Sequence, residues 1–193
     1  MLESVVQFFG RRAVPVQLPI GEEKNFGGVI DLMRMKALVF EKDEGGKFKE
    51  EDVPAALQAE ASKKRDELVE MIAENDEKLM EKYLDKGELS PEEIHSGLKK
   101  AVFLRQLYPV YACSALVNIG AQPLADGMID LLPSPLERGS VKATVKGQPG
   151  TIKTSVDDPL AALVFKTLSD PYTGRISLIR VFSGKLSPAG SAC

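Results

Sequence analysis

Tyr108-Pro109-Val110-Tyr111-Ala112-Cys113-Ser114-Ala115-Leu116-Val117-Asn118-Ile119-Gly120-Ala121-Gln122-Pro123-Leu124 is the stretch on which the fold turns. Residues 107–113 read as a strand, 114–120 as a loop, and 123–132 as a helix with Leu124, Met128, Leu131 and Leu132 inward. A small-residue loop at the carboxyl end of a strand is where open α/β sheets place ligands. Ser114-Ala115 is compact enough to present backbone amides to a planar group. Taken alone, the pattern fits a plain strand-to-helix turn better than a ligand loop, so its neighbours have to decide.

Upstream, residues 4–12 read as the exit of a helix that ends in Arg11-Arg12. Val14 to Gly21 is extended, because Pro15 and Pro19 remove backbone donors and bias the residues before them away from helix. Asn25-Phe26-Gly27-Gly28 is a turn, after which 29–40 is strand-like, with room for a helical bend at Met33 and Met35, and the stretch fits a hairpin-like element. A charged loop is expected over 41–52, with Gly45-Gly46 at its tip.

From Pro54, which suits a first helical turn, the period changes. Leu57, Ala61, Leu68, Met71 and Ile72 stack on one helical face. Leu79, Met80 and Tyr83 mark a second short helix that stops at Gly87. Ser90-Pro91-Glu92-Glu93 is a capping box with proline in the first position, and it opens a helix carrying Ile94, Leu98, Ala101 and Val102 inward. The single histidine, His95, has no second His or Cys spaced to share a metal with it and reads as a surface residue. The acidic runs 50–52 and 74–77 read as solvated faces, since paired carboxylates need a cleft to do acid/base chemistry.

Pro133-Ser134-Pro135 followed by Arg138-Gly139 is the best domain boundary. Beyond it, 141–145, 161–168 and 175–182 are strand-like and separated by Asp/Pro/Gly turns. Three or four strands suit a β-barrel or sandwich but leave its edges open.

Composition narrows the class. The chain has 193 residues, 44% hydrophobic and 27% charged, enough for one large domain or two small ones. No stretch approaches the roughly 20 apolar residues of a membrane helix, and the start lacks the pattern of a secretory signal, so no membrane contact and a cytoplasmic location are expected. Cys113 and Cys193 form no metal or disulfide pattern. The net charge of −3 is unevenly spread. From Arg138 onward eight basic residues face three acids, a net of +5, which leaves −8 for the remainder. A basic tail suits phosphates, and an acidic front half suits a different partner.

Five blocks, in order and at the right spacing, resemble elongation factor G, a translational GTPase. They are Val14 to Ile20 with Gly28-Val29-Ile30-Asp31-Leu32 and Met35-Lys36-Ala37; the Ser114-Ala115-Leu116 loop with Asn118 to Leu124; Asp130-Leu131-Leu132-Pro133-Ser134-Pro135; Asp157-Asp158-Pro159-Leu160 to Lys166; and Asp170-Pro171-Tyr172-Thr173-Gly174 with Arg180-Val181-Phe182-Ser183-Gly184. The resemblance covers nearly the whole chain. It implies an α+β fold: a mixed α/β remnant of the GTPase domain over 1–136, with a helical G-prime insert over about 14–104, then an incomplete β-barrel over 137–193 that opens the second domain.

The resemblance further implies that Ser114 braces the guanine loop, that the Ala115 amide meets the guanine carbonyl oxygen, and that Leu116 shapes the base pocket. Lys142 and Lys146 become candidates to face ribosomal RNA, and the acidic insert a candidate contact for the ribosomal stalk protein. GTP or GDP with Mg belongs to the full-length parent, which acts in ribosomal translocation. No Gly-x-x-x-x-Gly-Lys-[Ser/Thr] segment is present to cradle phosphates and no Asn-Lys-x-Asp to read the base. The fragment alone is therefore expected to hold no nucleotide tightly, to have no catalytic residue and no metal ligand, and to be inactive. Leu116, where many members carry phenylalanine, and Leu136-Glu137-Arg138-Gly139 depart from the family pattern and suggest a divergent, second-copy type. The alternatives are a standalone acidic helical interaction module, and a ribosome-protection or recycling-type relative.

Overall fold

A computed structural model describes residues 2–41, 45–145, 147–172 and 174–187. The chain divides into two compact units, Met1–Leu132 and Pro133–Cys193.

In the first unit, helix α1 (Leu2–Phe9) passes through a 3-10 turn at Gly10–Arg12 into strand β1 (Ala13–Pro15). β1 pairs in parallel with β6 (Tyr108–Val110), so two segments almost a hundred residues apart share one short sheet. Between them lies an antiparallel four-stranded sheet in the order β2 (Gln17–Ile20), β3 (Gly28–Asp31), β4 (Lys36–Phe40), β5 (Phe48–Asp52). Three helices follow: α2 (Ala55–Ala73), α3 (Glu77–Lys86) and α4 (Pro91–Phe103). α5 (Ala121–Leu131) comes after β6.

Strand β3 is buried on both faces at Val29 and Ile30. Ile30 belongs to a cluster with Leu68 and Ile72 of α2 and Ile94 and Leu98 of α4, whereas its neighbour Val29 joins a smaller cluster of Leu38, Phe40 and Ile119. Arg65 of α2 donates from Nη1 to the carbonyl oxygens of Leu32 (2.6 Å) and Met33 (2.5 Å), which ties the β3–β4 turn to the helix layer. Helix ends follow their local chemistry. Asp76 accepts from the amides of Lys78 and Leu79 at the start of α3, Gly87 closes α3 with φ 75°, and Ser90 and Glu93 form the reciprocal capping box of α4.

Several expectations need correction. The hairpin-like element expected in 29–40 forms, with a turn in place of the helical bend at Met33 and Met35, because the Asp31 carboxylate captures the Met33 and Arg34 amides and closes it. The charged loop expected over 41–52 ends in a strand, β5, whose five residues are all exposed. Its charges hold it at the sheet edge through Lys36–Asp52 and Arg34–Glu50 contacts of 2.8 Å each, the kind of charged edge that discourages further strand pairing. The segment 14–104 therefore holds a four-stranded sheet in addition to its helices. Pro54 is the N-cap of α2 and not its first helical residue. The strand expected over 107–113 is regular only at β6. On α5, Leu131 alone is buried, while Met128 and Leu132 are about half exposed.

The second unit holds a short helix α6 (Pro135–Arg138) and two separate antiparallel pairs. β7 (Val141–Val145) pairs with β8 (Gln148–Ile152), and β9 (Ala161–Asp170) with β10 (Gly174–Ser183). There is no closed barrel among the described residues. β8 escapes the sequence pattern because Pro149-Gly150 reads as a break. The fold is α+β.

Candidate functional site

The loop after β6 is a tight, self-braced turn. The Ser114 amide donates to the Ile119 carbonyl (2.8 Å) and the Ile119 amide to the Ser114 carbonyl (3.1 Å), so residues 115–118 form the tip of a closed bridge. Asn118 adopts φ 51° and Gly120 φ 79° as the chain turns into α5. A Cβ on Gly120 would lie 2.5 Å from the Ala112 carbonyl oxygen, so only glycine lets helix and strand approach this closely. Ile119 plugs the cluster under β3 and β4 and anchors the loop to the sheet.

The tip of the loop is open to solvent. Ser114 is half-buried, Ala115 is exposed, and Leu116 is 89% exposed at the tip. Among the described residues the Ala115 amide has no hydrogen-bond partner, so it stands as a free donor on a rigid bridge. The β4–β5 connection borders the loop. A Cβ on Gly46 would come within 2.2 Å of Gln122 Nε2 and 2.6 Å of Asn118 Nδ2. Beside it, Gln122 Oε1 is buried and has no hydrogen-bond partner among the described residues. The sequence marks Gly45-Gly46 as a loop tip but carries no signal that it lies against residues more than seventy positions later.

On another side of the same strand-to-helix unit is a cleft of about 290 Å³ whose lining includes Asp31, His95, Tyr111, Asp126, Gly127 and Asp130. Tyr111 sits so close to Gly127 that a Cβ there would be 2.1 Å from its hydroxyl, which locks α5 onto the strand. Burial, then the charges of Asp31 and Asp130, push the Tyr111 phenol up to about 12. Burial also raises Asp31, against the pull of the Arg34 and Met33 amides. His95 lines this cleft half-buried, a correction to its reading as a surface residue.

Lys142 is exposed on β7, opposite Thr151, and Lys146 lies outside the described residues, so the two cannot be placed as a pair. Cys113 is an exposed free thiol, and Cys193 also lies outside the described residues. Among the described residues no group of three or more His, Cys, Asp or Glu is placed to hold a metal ion. No described helix is long and apolar enough to cross a membrane.

No family model matches the chain. It is 43% identical over 187 residues to elongation factor G of Thermotoga maritima, covering 96% of this chain and 27% of that protein. Elongation factor G of Thermotoga petrophila is 42% identical over the same length. A crystal structure of a Thermus thermophilus protein superposes with a TM-score of 0.75 at 33% identity, covering 98% of this chain and 26% of that one. The chain thus spans about a quarter of the length of the curated relatives it matches.

Proposed function

Because this chain belongs to the elongation factor G family, we propose that it is the part of a ribosomal, translocation-driving GTPase that carries the guanine-contacting loop, the G-prime insert and the start of the second domain. On this reading 1–136 completes the GTPase domain, about 14–104 is G-prime, and 137–193 opens the barrel. The full-length protein works in the cytoplasm and binds GTP or GDP with Mg.

The observation that carries the reading is the free Ala115 amide on a loop braced by Ser114 and Ile119 at the end of a strand. An unpaired donor on an exposed residue of a braced loop suits the carbonyl oxygen of a guanine, and pre-bracing of the loop lowers the cost of ordering it on binding. Leu116 borders the base. These residues fit the base end of the nucleotide only, since the phosphates and metal need groups that this chain does not supply. Replacing Ala115 by proline removes the donor. In the full-length protein, Ala115→Pro should weaken GDP binding by about tenfold, as expected for a buried hydrogen bond lost to a bound base, while an Ala115→Ser control keeps it. Equal affinity in both variants contradicts the role.

Two ribosomal contacts follow from the charge distribution. The basic second unit, with Lys142 exposed, suits ribosomal RNA, and the acidic helices of the insert suit a weak, fast contact with the stalk protein, where complementary charge speeds encounter more than it tightens binding. Ribosome binding by the full-length protein tests both. Lys142→Glu should weaken it in a salt-dependent manner, and ribosomes stripped of the stalk protein should bind it more slowly. Indifference to both changes contradicts the assignment.

A further inference from the structure

A larger cleft of the first unit lies away from the guanine loop. It measures about 450 Å³ and is lined by Arg11, Arg12, Arg105 and Gln106, with Glu74 and Leu104 beside them. The backbone brings these arginines together from distant places. Arg11 and Arg12 occupy the 3-10 turn after α1. Arg105 follows α4 in a left-handed conformation, φ 60°, and the amides of Gln106 and Leu107 both return to the Ala101 carbonyl to close that turn.

Only one acid answers the three cations. Glu74 is 3.8 Å from Arg11, and among the described residues Arg12 and Arg105 have no ion-pair partner. Gln106 Oε1 is buried with no hydrogen-bond partner among the described residues. This basic island sits on the otherwise acidic part of the chain.

Aromatic residues adjoin the lining in the chain: Phe9 precedes Gly10-Arg11, and Tyr108 follows Leu107 and pairs with Ala13 across the short sheet. Phe8, Phe9 and Tyr108 are exposed, Phe9 contacts Tyr108 with ring centroids 5.7 Å apart, and Phe8 meets Phe9 at 4.9 Å. Planar guanidinium forks match phosphate oxygens two at a time, and exposed rings next to them offer faces on which unpaired bases stack. A plain acidic peptide would use the arginines but not the rings.

We propose that this cleft is a second, nucleotide-independent site that binds single-stranded RNA, with Arg12 and Arg105 on its phosphates, Arg11 and Gln106 supporting them, and Phe9 and Tyr108 under the bases. It stands on the first unit alone and does not depend on the guanine-loop reading.

The test is fluorescence anisotropy of the 193-residue chain with a short fluorescein-labelled oligouridylate at low salt. Arg12→Gln with Arg105→Gln should weaken binding about tenfold and make the line of log affinity against log salt shallower by about 1.4, the value for neutralising two fewer phosphates on a single strand. Lys63→Gln with Lys86→Gln should leave both unchanged. Should the arginine variant melt, the wild-type chain still decides: RNA must shift the side-chain Nε signals of Arg12 and Arg105 in ¹⁵N spectra. Equal weakening in the lysine control, unchanged affinity in the arginine variant, still Nε signals, or displacement of the RNA by poly-glutamate at matched charge would each overturn the proposal.

Discussion

Asp31 does two things that pull against each other. Its Oδ1 accepts from the Met33 amide at 2.8 Å and the Arg34 amide at 3.1 Å, which makes the β3–β4 hairpin. Burial meanwhile raises its pKa above the ordinary 3.8, so the folded state holds the proton more tightly than the unfolded chain does. Its contribution to stability is therefore complete below about 3.8 and is lost as pH rises through the folded value. Above the folded value the ionised carboxylate burdens the fold. Asparagine keeps the acceptor and removes the charge. Asp31→Asn should raise the urea midpoint at pH 7, with the gain fading as the pH falls towards about 3. A lower midpoint at pH 7, or a gain that does not fade with acid, contradicts this account. The sequence marks Asp31 as part of a family block but gives no hint of the burial that shifts it, since that burial arises from segments distant in the chain packing beside the hairpin.

At the scale of elements, the junction of loop and α5 rests on Gly120, whose φ of 79° and 2.5 Å clearance to the Ala112 carbonyl leave no room for a side chain. Gly120→Ala should cost at least about 1–2 kcal/mol from the left-handed backbone alone, more once the strand is pushed aside, and urea unfolding measures it. An unchanged midpoint would mean that the loop is not braced against β6 as described. Helix starts are legible wherever a cap announces them, as at Ser90-Pro91-Glu92-Glu93. The same device at Ser134-Pro135-Leu136-Glu137 also forms a capping box but reads from sequence as a proline break, because four helical residues are too few to show a period. β5 is illegible for the opposite reason. Its charged residues alternate with nothing buried, and only pairing with β4 and its ion pairs to Lys36 and Arg34 make it a strand. The position of the candidate loop can be read from the residues around it, whereas the Ile119 plug and the approach of Gly46 depend on long-range packing that no local pattern encodes.

Across the whole molecule, the family assignment explains what local physics leaves open. β9 and β10 carry Leu163, Val164, Phe165 and Ile179 largely exposed, more apolar surface than a finished sheet usually shows to water, as an incomplete barrel would. The first part of the chain is acidic and the stretch after Arg138 is basic, a contrast that suits partners of opposite charge. The function proposed above has the chain carry the base-contacting loop of a GTPase without a phosphate-cradling Gly-x-x-x-x-Gly-Lys-[Ser/Thr] segment. It is tested most directly by titrating GDP into the ¹⁵N-labelled chain while following every assigned amide. The expected result is no saturation in the micromolar range, with shifts at high millimolar nucleotide confined to Ser114–Gly120 and led by Ala115. Micromolar saturation, or shifts centred elsewhere in the chain, would contradict it.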